Sequence, residues 1–337
     1  MAYLIVGNGP AGIAAAKTLR KMESTAEIVI ATDDLEPPHL RPLLPDLILG
    51  DVEANVILDP QWKELHAKRI TFLHGRTASR LDTGRRVVEF DGGEEKAYDA
   101  LLVATGGKPA VPPALAGGHG AIRVFDSYRD ALAIRERASL PGNAVVYGPG
   151  YLAIEACRAL RKAKREVIWI QPDLPRPGYP ISGELEASIL DEVRNRGAAI
   201  REGEEIVQVR EKDADTCIVV TRTGEEIPCT LLVVATERVP SVGFLSGSGV
   251  MVKRGVLVDE CLRTSVADVY AAGDCAEFVG SGSEGGDGRI NFGWRSAILQ
   301  GHLAGENMAG GSKRFGGREE DYFWALFGFP LLDRVKR

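Results

Sequence analysis

Gly7, Gly9 and Gly12 stand in the spacing G-x-G-x-x-G close to the start of the chain. Glycines at this spacing suit a pyrophosphate: one makes a tight turn, one lets the backbone approach the phosphates, and one allows close helix–strand contact. Pro10 and Ala11 lie between them, and the helical stretch that follows offers free N–H groups and a partial positive charge that favour an anion. Asp33 follows about twenty residues later, where an acid can bind the hydroxyls of a ribose. Gly148 and Gly150 repeat the turn in the second half of the chain, where a further strand ends at Gln171. Two such units in one chain point to two nucleotides with electrons passing between them.

The elements that must position these residues are legible from composition. Ala2-Tyr3-Leu4-Ile5-Val6 is a short apolar run ending at Gly7, and Ile13 to Met22 reads as a helix with Ala14, Ala15 and Ala16 small enough to pack against a sheet. A second strand, Ala26 to Ala31, leads to Thr32 and Asp33. Leu101 to Val103 is a buried strand ending in the small residues Ala104, Thr105 and Gly106, which lets main chain lie against a ligand. Asn143 to Tyr147, Ile154 to Lys162 and Val167 to Ile170 repeat strand, helix and strand, and Leu231 to Thr236 echoes the Leu101 strand. Val269 to Ala272 is a further strand, ending in the glycine–acid turn Gly273-Asp274. Trp294 leads into a last helix that carries Ala297, Gly301 and Ala304.

Prolines mark the breaks. Four of them between Leu35 and Pro45 predict an extended loop over the first nucleotide site, without a regular helix. Arg41 is the one cation of that loop and suits either a pyrophosphate or the surface; His39 reads as structural. Ile70 to Phe90 reads as strands around turns, with Asp91-Gly92-Gly93 a hairpin signal. Lys108 to Pro113, with three prolines, reads as a linker leaving the first domain, and Gly280 to Gly288 as a mobile Gly/Ser-rich stretch.

A length of 337 residues suits two domains, and 45% apolar with 26% charged residues is ordinary for a globular protein with large cores. The net charge of −6 argues against a nucleic-acid surface. No apolar run approaches a membrane span, and no basic region precedes the first strand, so a cytoplasmic protein is expected. Five cysteines, Cys157, Cys217, Cys229, Cys261 and Cys275, form no close pair along the chain and predict no metal site, only free thiols in a reducing compartment.

Taken in order, the segments GNGPAG, PPHLRPLL, LLVATGGKP, GPGYLAIE, VYAAGDCAE and GWRSAILQG resemble the pyridine nucleotide-disulphide oxidoreductases, over residues 1–310. The chain is most similar to the rubredoxin reductases, ferredoxin reductases and the flavin module of NAD(P)H nitrite reductase. The resemblance implies an α/β fold with two Rossmann-like, three-layer domains, the second inserted in the first. Residues 1–112 plus 252–310 would bind FAD, and residues 113–251 NAD(P)H. Gly7, Gly9, Pro10, Ala11, Gly12 and Asp33 would hold the adenosine half of FAD, with Arg41, Ala104, Thr105 and Gly106 along it. Gly273 and Asp274 would serve its ribityl or pyrophosphate region, with Trp294 and Ala297 near the ring. Gly148, Gly150 and Gln171 would hold the nicotinamide nucleotide. Glu155 matches the family's acid between flavin and nicotinamide, and can also be read as a solvated glutamate early in a helix.

Departures from the family pattern gather on the nicotinamide side. The lysine that pairs with the acid matching Glu155 is replaced by Asp46, the ribose-binding acid by Gln171, a glycine after Thr236 by Glu237, and a third glycine by Ala153. No cysteine precedes Cys157, which makes the disulphide-reducing members poor guides. The leading expectation is an FAD enzyme moving electrons between NAD(P)H and a one-electron protein carrier, rubredoxin, ferredoxin or another iron–sulfur protein. The competing one is a flavin-bearing relay subunit of an iron–sulfur enzyme complex, with a degenerate nicotinamide site. Where the family carries a third domain, residues 311–337 read as an apolar tail with five aromatics and three leucines between Tyr322 and Leu332. That tail would fold back or dock a second copy or a redox partner.

Overall fold

A computed structural model describes residues 1–58, 62–117, 119–173, 183–279 and 288–316, with backbone alone at 62–64 and 183–186. The chain divides into two compact units. Unit 1 comprises Met1–His39, Leu58–Gly107 and Pro240–Arg337; unit 2 comprises Leu40–Ile57 and Lys108–Val239.

Unit 1 is built on a five-stranded parallel sheet in the order Val269–Ala271, Ala100–Val103, Ala2–Val6, Glu27–Ala31, Ile70–Leu73. Strands buried on both faces read as unbroken apolar runs, as Leu4-Ile5-Val6 and Leu101-Leu102-Val103 do. The order reverses between Ala2–Val6 and Ala100–Val103, so the carboxyl ends of those strands form the crevice where ligands bind doubly wound sheets. The helix Pro10–Met22 follows the first strand and packs along Trp294–Met308. Small residues permit that approach: a Cβ on Gly301 would come within 2.2 Å of the Ala11 carbonyl oxygen. A three-stranded antiparallel sheet, Ala78–Asp82, Val87–Phe90 and Glu95–Ala97, completes the unit's strands before Ala100, with Gly92 and Gly93 at positive φ in its second turn.

Unit 2 repeats the plan. Its five parallel strands run in the order Ala199–Glu202, Glu166–Gln171, Asn143–Tyr147, Leu231–Val234, Ile122–Val124, with the reversal between Asn143–Tyr147 and Leu231–Val234. It too carries an antiparallel sheet, Ile206–Glu211, Cys217–Thr221 and Glu226–Cys229. Ser127 caps the helix Tyr128–Ala138 in a reciprocal box with Asp130.

The proline-rich stretch departs from expectation. Arg41–Leu43 forms a 3-10 turn and Leu44–Leu49 an α-helix closed by Gly50 in the left-handed region. Pro42 and Pro45 sit in the first turn of each, where a missing N–H costs nothing, so they start helices rather than forbid them. This segment belongs to unit 2, not to the first nucleotide unit. The Gly/Ser stretch 280–287 and the aromatic tail 317–337 lie outside the described residues.

Candidate functional site

In unit 1 the backbone leaves the Ala2–Val6 strand through Gly7, whose N–H donates to Ala31 O at 2.8 Å with φ +116°. A side chain there is excluded: its Cβ would lie 2.2 Å from the Ala104 carbonyl oxygen. Gly12 is equally confined, its Cβ 2.0 Å from Gly7 O. Gly9 is the opposite case. It caps the helix, and no described residue lies within 4 Å of where its Cβ would be. The turn therefore has a packed back, made by Gly7 and Gly12, and an open front at Gly9, with Pro10 in the helix's first turn.

Other predicted residues converge on the same helix. Gly273, at φ +84°, would place a Cβ 3.2 Å from Ala11 Cβ and 3.7 Å from Ala297 Cβ, so these three residues touch. The Gly273 N–H donates to Gln300 Oε1 at 2.7 Å, and Gln300, fully buried, also donates to Ser296 Oγ at 3.0 Å. Asp274 Oδ1 accepts from the Gly293 N–H at 3.1 Å, which ties the glycine–acid turn to the start of the helix that Trp294 opens. Asp33 is exposed just past its strand. Gly106, also at positive φ, faces open space.

Asn8 Nδ2, Thr105 Oγ1 and Asn291 Oδ1 are among the buried polar atoms of unit 1 that lack hydrogen-bond partners among the described residues. Asn8 sits inside the glycine turn, its Oδ1 accepting from Thr32 Oγ1 at 3.1 Å. Buried polar groups are normally satisfied, so donors and acceptors left over beside an open glycine turn are what a bound dinucleotide would complete. The residues fit FAD. Sequence spacing does not mark Asn8, Asn291 or Gln300, because each acts through a fold contact rather than a motif position.

Unit 2 reproduces this geometry. A Cβ on Gly148 would lie 2.0 Å from Ala235 O, while Gly150 caps the helix Tyr151–Lys162 with no described residue within 4 Å of where its Cβ would be. Thr236 Oγ1, like Thr105 Oγ1, is buried without a partner among the described residues. Gln171 is buried at the end of its strand and Glu237 is half-buried; Arg176, a few residues past Gln171, lies outside the described residues.

Glu155 is not a solvated glutamate: only 8% of it is exposed. Its Oε2 accepts from Arg158 Nε at 2.8 Å, and Arg158 Nη2 reaches Asp46 Oδ1 at 3.1 Å. Oε1 of Glu155 is buried with no partner among the described residues. Burial pushes the Glu155 carboxyl above the usual carboxylate range, against the pull of the Arg158 guanidinium. Arg41 has a protein partner, donating from Nη1 to Asp126 Oδ1 at 3.1 Å within unit 2, and Asp126 pairs with Arg238 as well.

All five cysteines are free and buried. Folding does create a close pair: Cys217 and Cys229 face each other across neighbouring strands with Sγ atoms 3.5 Å apart. Among the described residues, no group of three or more His, Cys, Asp or Glu could hold a metal ion, and no helix is long and apolar enough to cross a membrane.

Two doubly wound sheets, each with a glycine turn open at its switch point, define a two-dinucleotide oxidoreductase. The chain belongs to the pyridine nucleotide-disulphide oxidoreductase family, whose pattern it matches over residues 1–301. It is 28% identical over 330 residues to the NADH-dependent phenylglyoxylate dehydrogenase subunit epsilon of Aromatoleum evansii, covering 97% of this chain and 77% of the relative. It is 27% identical to the NADH-rubredoxin oxidoreductase of Clostridium acetobutylicum, covering 91% and 74%. Among solved structures, the putidaredoxin reductase of a covalent complex with putidaredoxin superposes with a TM-score of 0.84 at 25% identity, covering 93% and 76%. The protein is an NAD(P)H-dependent oxidoreductase with FAD as cofactor.

Proposed function

We propose that unit 1 is the FAD domain, that unit 2 is the NAD(P)H domain, and that electrons pass from NAD(P)H to a small iron–sulfur protein in the cytoplasm. The observation that carries this reading is the paired geometry of the turns: among the described residues, both have a closed back, an open front and an unpartnered buried threonine hydroxyl beside them. When bound, FAD supplies two-electron chemistry toward a nicotinamide and one-electron chemistry toward an iron centre. The chain's own part is to bind and orient. Gly7, Gly9, Gly12 and the helix start at Pro10 take the pyrophosphate, Asp33 the adenosine ribose, and Ala104, Thr105 and Gly106 run alongside. Gly273 and Asp274 take the rest of the linker, with Trp294 and Ala297 toward the ring. In unit 2, Gly148 and Gly150 take the second pyrophosphate, Gln171 its ribose, and Glu155 acts at the nicotinamide end. Free cysteines support a reducing compartment, and the reductases among the relatives support an iron–sulfur acceptor.

Arg41 is the weakest member of the set, because its guanidinium already has Asp126. A second reading is favoured by a specific similarity: the relative from Aromatoleum evansii is a subunit of a larger enzyme. In that reading the chain relays electrons inside an iron–sulfur complex, and Gln171 and Glu237 mark a nicotinamide site of reduced competence. Anaerobic titration of the yellow protein with NADH and with NADPH, followed by absorbance, separates the two. Rapid stoichiometric bleaching is expected for the reductase; bleaching by dithionite alone would favour the relay.

A further inference from the structure

The cluster Glu155–Arg158–Asp46 in unit 2 joins a buried carboxylate, a cation one helical turn along and a second carboxylate from the segment Leu44–Leu49. We propose that Arg158 is the positioning residue of Glu155, a guanidinium whose Nε–Nη2 edge is shared with Asp46, so that it holds the Glu155 carboxylate in one orientation and favours its charged form.

The geometry explains why three groups are needed. An arginine at i+3 on the same helix can reach a glutamate, but on a solvated face such a pair contributes little and samples many rotamers. Here Nε donates to Glu155 Oε2 at 2.8 Å, and Nη2 lies 2.8 Å from that same oxygen and 3.1 Å from Asp46 Oδ1, so one edge of the planar fork spans both carboxylates. That leaves Glu155 with one oxygen committed and the other, Oε1, buried without a partner among the described residues. Among the described residues, the charged groups that act on Glu155 are Arg158 on its own helix, Asp46 on Leu44–Leu49 and Arg196 beyond the helix Gly183–Asn195. Arg158 is the one that hydrogen-bonds it, and Asp46 opposes ionisation. A buried carboxylate in this setting stays charged only as long as its paired cation stays in place.

Asp46 and Glu155 share one cation, so moving the positive charge from 158 to 46 should keep Glu155 paired. The inference rests on reading Glu155 as a residue of the nicotinamide site, and its test separates the two ideas. Glutamate is labelled with carbon-13 at the carboxyl, and the Glu155 signal is identified by its loss in Glu155→Gln. Its titration is then followed by NMR in the unaltered protein, Arg158→Met, Arg158→Lys and the double variant Asp46→Lys/Arg158→Met. The titration midpoint should rise by roughly 1–3 pH units in Arg158→Met, since an opposite charge at contact distance lowers a carboxyl by that much. Arg158→Lys should recover part of the shift and the double variant most of it. The pH dependence of NADH binding, read by fluorescence quenching, should move in the same direction and order.

An unmoved midpoint in folded Arg158→Met, or a double variant no different from the single one, would overturn the role of Arg158. Should Arg158→Met fail to fold, Arg158→Lys and the double variant still decide the matter. An unaltered protein that binds no nicotinamide would sink the functional reading instead, while the carboxyl titration would still judge Arg158.

Discussion

The two glycine turns of this protein are near copies in shape and differ in what surrounds them. Gly7 abuts Ala104 O and Gly148 abuts Ala235 O at almost the same distance, and Gly9 and Gly150 both face open space. In unit 1, however, the nucleotide helix is backed by a second helix, with Gly301 and Gly305 against the Ala11 and Ala15 carbonyls, and the Gly273 turn is pinned by Gln300. In unit 2 the helix after the turn instead carries a charged cluster built on Glu155. The unit read as holding a resident cofactor is braced by close packing. The unit read as holding an exchanging co-substrate is tuned by charge. A permanent ligand rewards a rigid cradle, whereas a ligand that comes and goes needs orientation without a deep well.

Breaking the turns gives the largest effects. Gly7→Ala should lose FAD and destabilise unit 1 by about 3 kcal/mol or more, because its Cβ meets a carbonyl oxygen and its φ is left-handed. Gly9→Val should lose FAD while keeping the fold, since open space receives its side chain. Flavin absorbance and a thermal melt on both variants check this; a Gly9→Val protein that still holds stoichiometric FAD would mean the front of the turn is not the site. The matching change in unit 2, Gly150→Val, should spare FAD and abolish bleaching by NADH.

A smaller effect sharpens the ribose end. Gln171→Glu should favour NADH over NADPH by about 1–2 kcal/mol, through a charged hydrogen bond to the ribose and repulsion of a 2′-phosphate. The ratio of the two kcat/KM values reports it, and an unchanged ratio would place Gln171 away from the ribose.

Glu155 gives a subtler pH signature. Its carboxyl is raised above the unfolded value by burial, so its contribution to stability is present in acid and lost as pH rises through its folded pKa. Glu155→Gln, which cannot ionise, should therefore melt above the unaltered protein at neutral and alkaline pH, with the advantage vanishing below the ordinary glutamate range. Melting curves across pH test it; a constant offset at every pH would show that ionisation is not the cause.

The smallest expected effect concerns thiols. The contact with Cys229 holds the Cys217 thiol below its usual range, while that contact together with burial pushes Cys229 up. Removing both, as Cys217→Ala/Cys229→Ala, should leave NADH-driven reduction of a one-electron acceptor at its original rate. A large loss would bring disulphide chemistry back into consideration.

What the sequence determined by itself is what short-range sterics dictate. A strand running into G-x-G-x-x-G and then a helix can close its turn only with glycine at Gly7 and Gly12, so residue type and spacing alone announce the site. The same holds for Gly148, and for the small residues Ala104 to Gly106 at a strand end. Proline was less informative, since Pro42 and Pro45 allow a first turn as readily as a loop, and only packing chose. Tertiary structure alone decided that Leu40–Ile57 joins unit 2 and gives Arg41 to Asp126, and that Cys217 meets Cys229. It also decided that Arg158 stands between Glu155 and Asp46. From the sequence, Asp46 looks like a lost cation; in the fold the cation has moved one turn along the helix that carries the acid. Asp46 and Arg158 are 112 residues apart along the chain, so no local pattern records their contact. Such pairings depend on how distant segments dock, and a residue's type says only that it can make one.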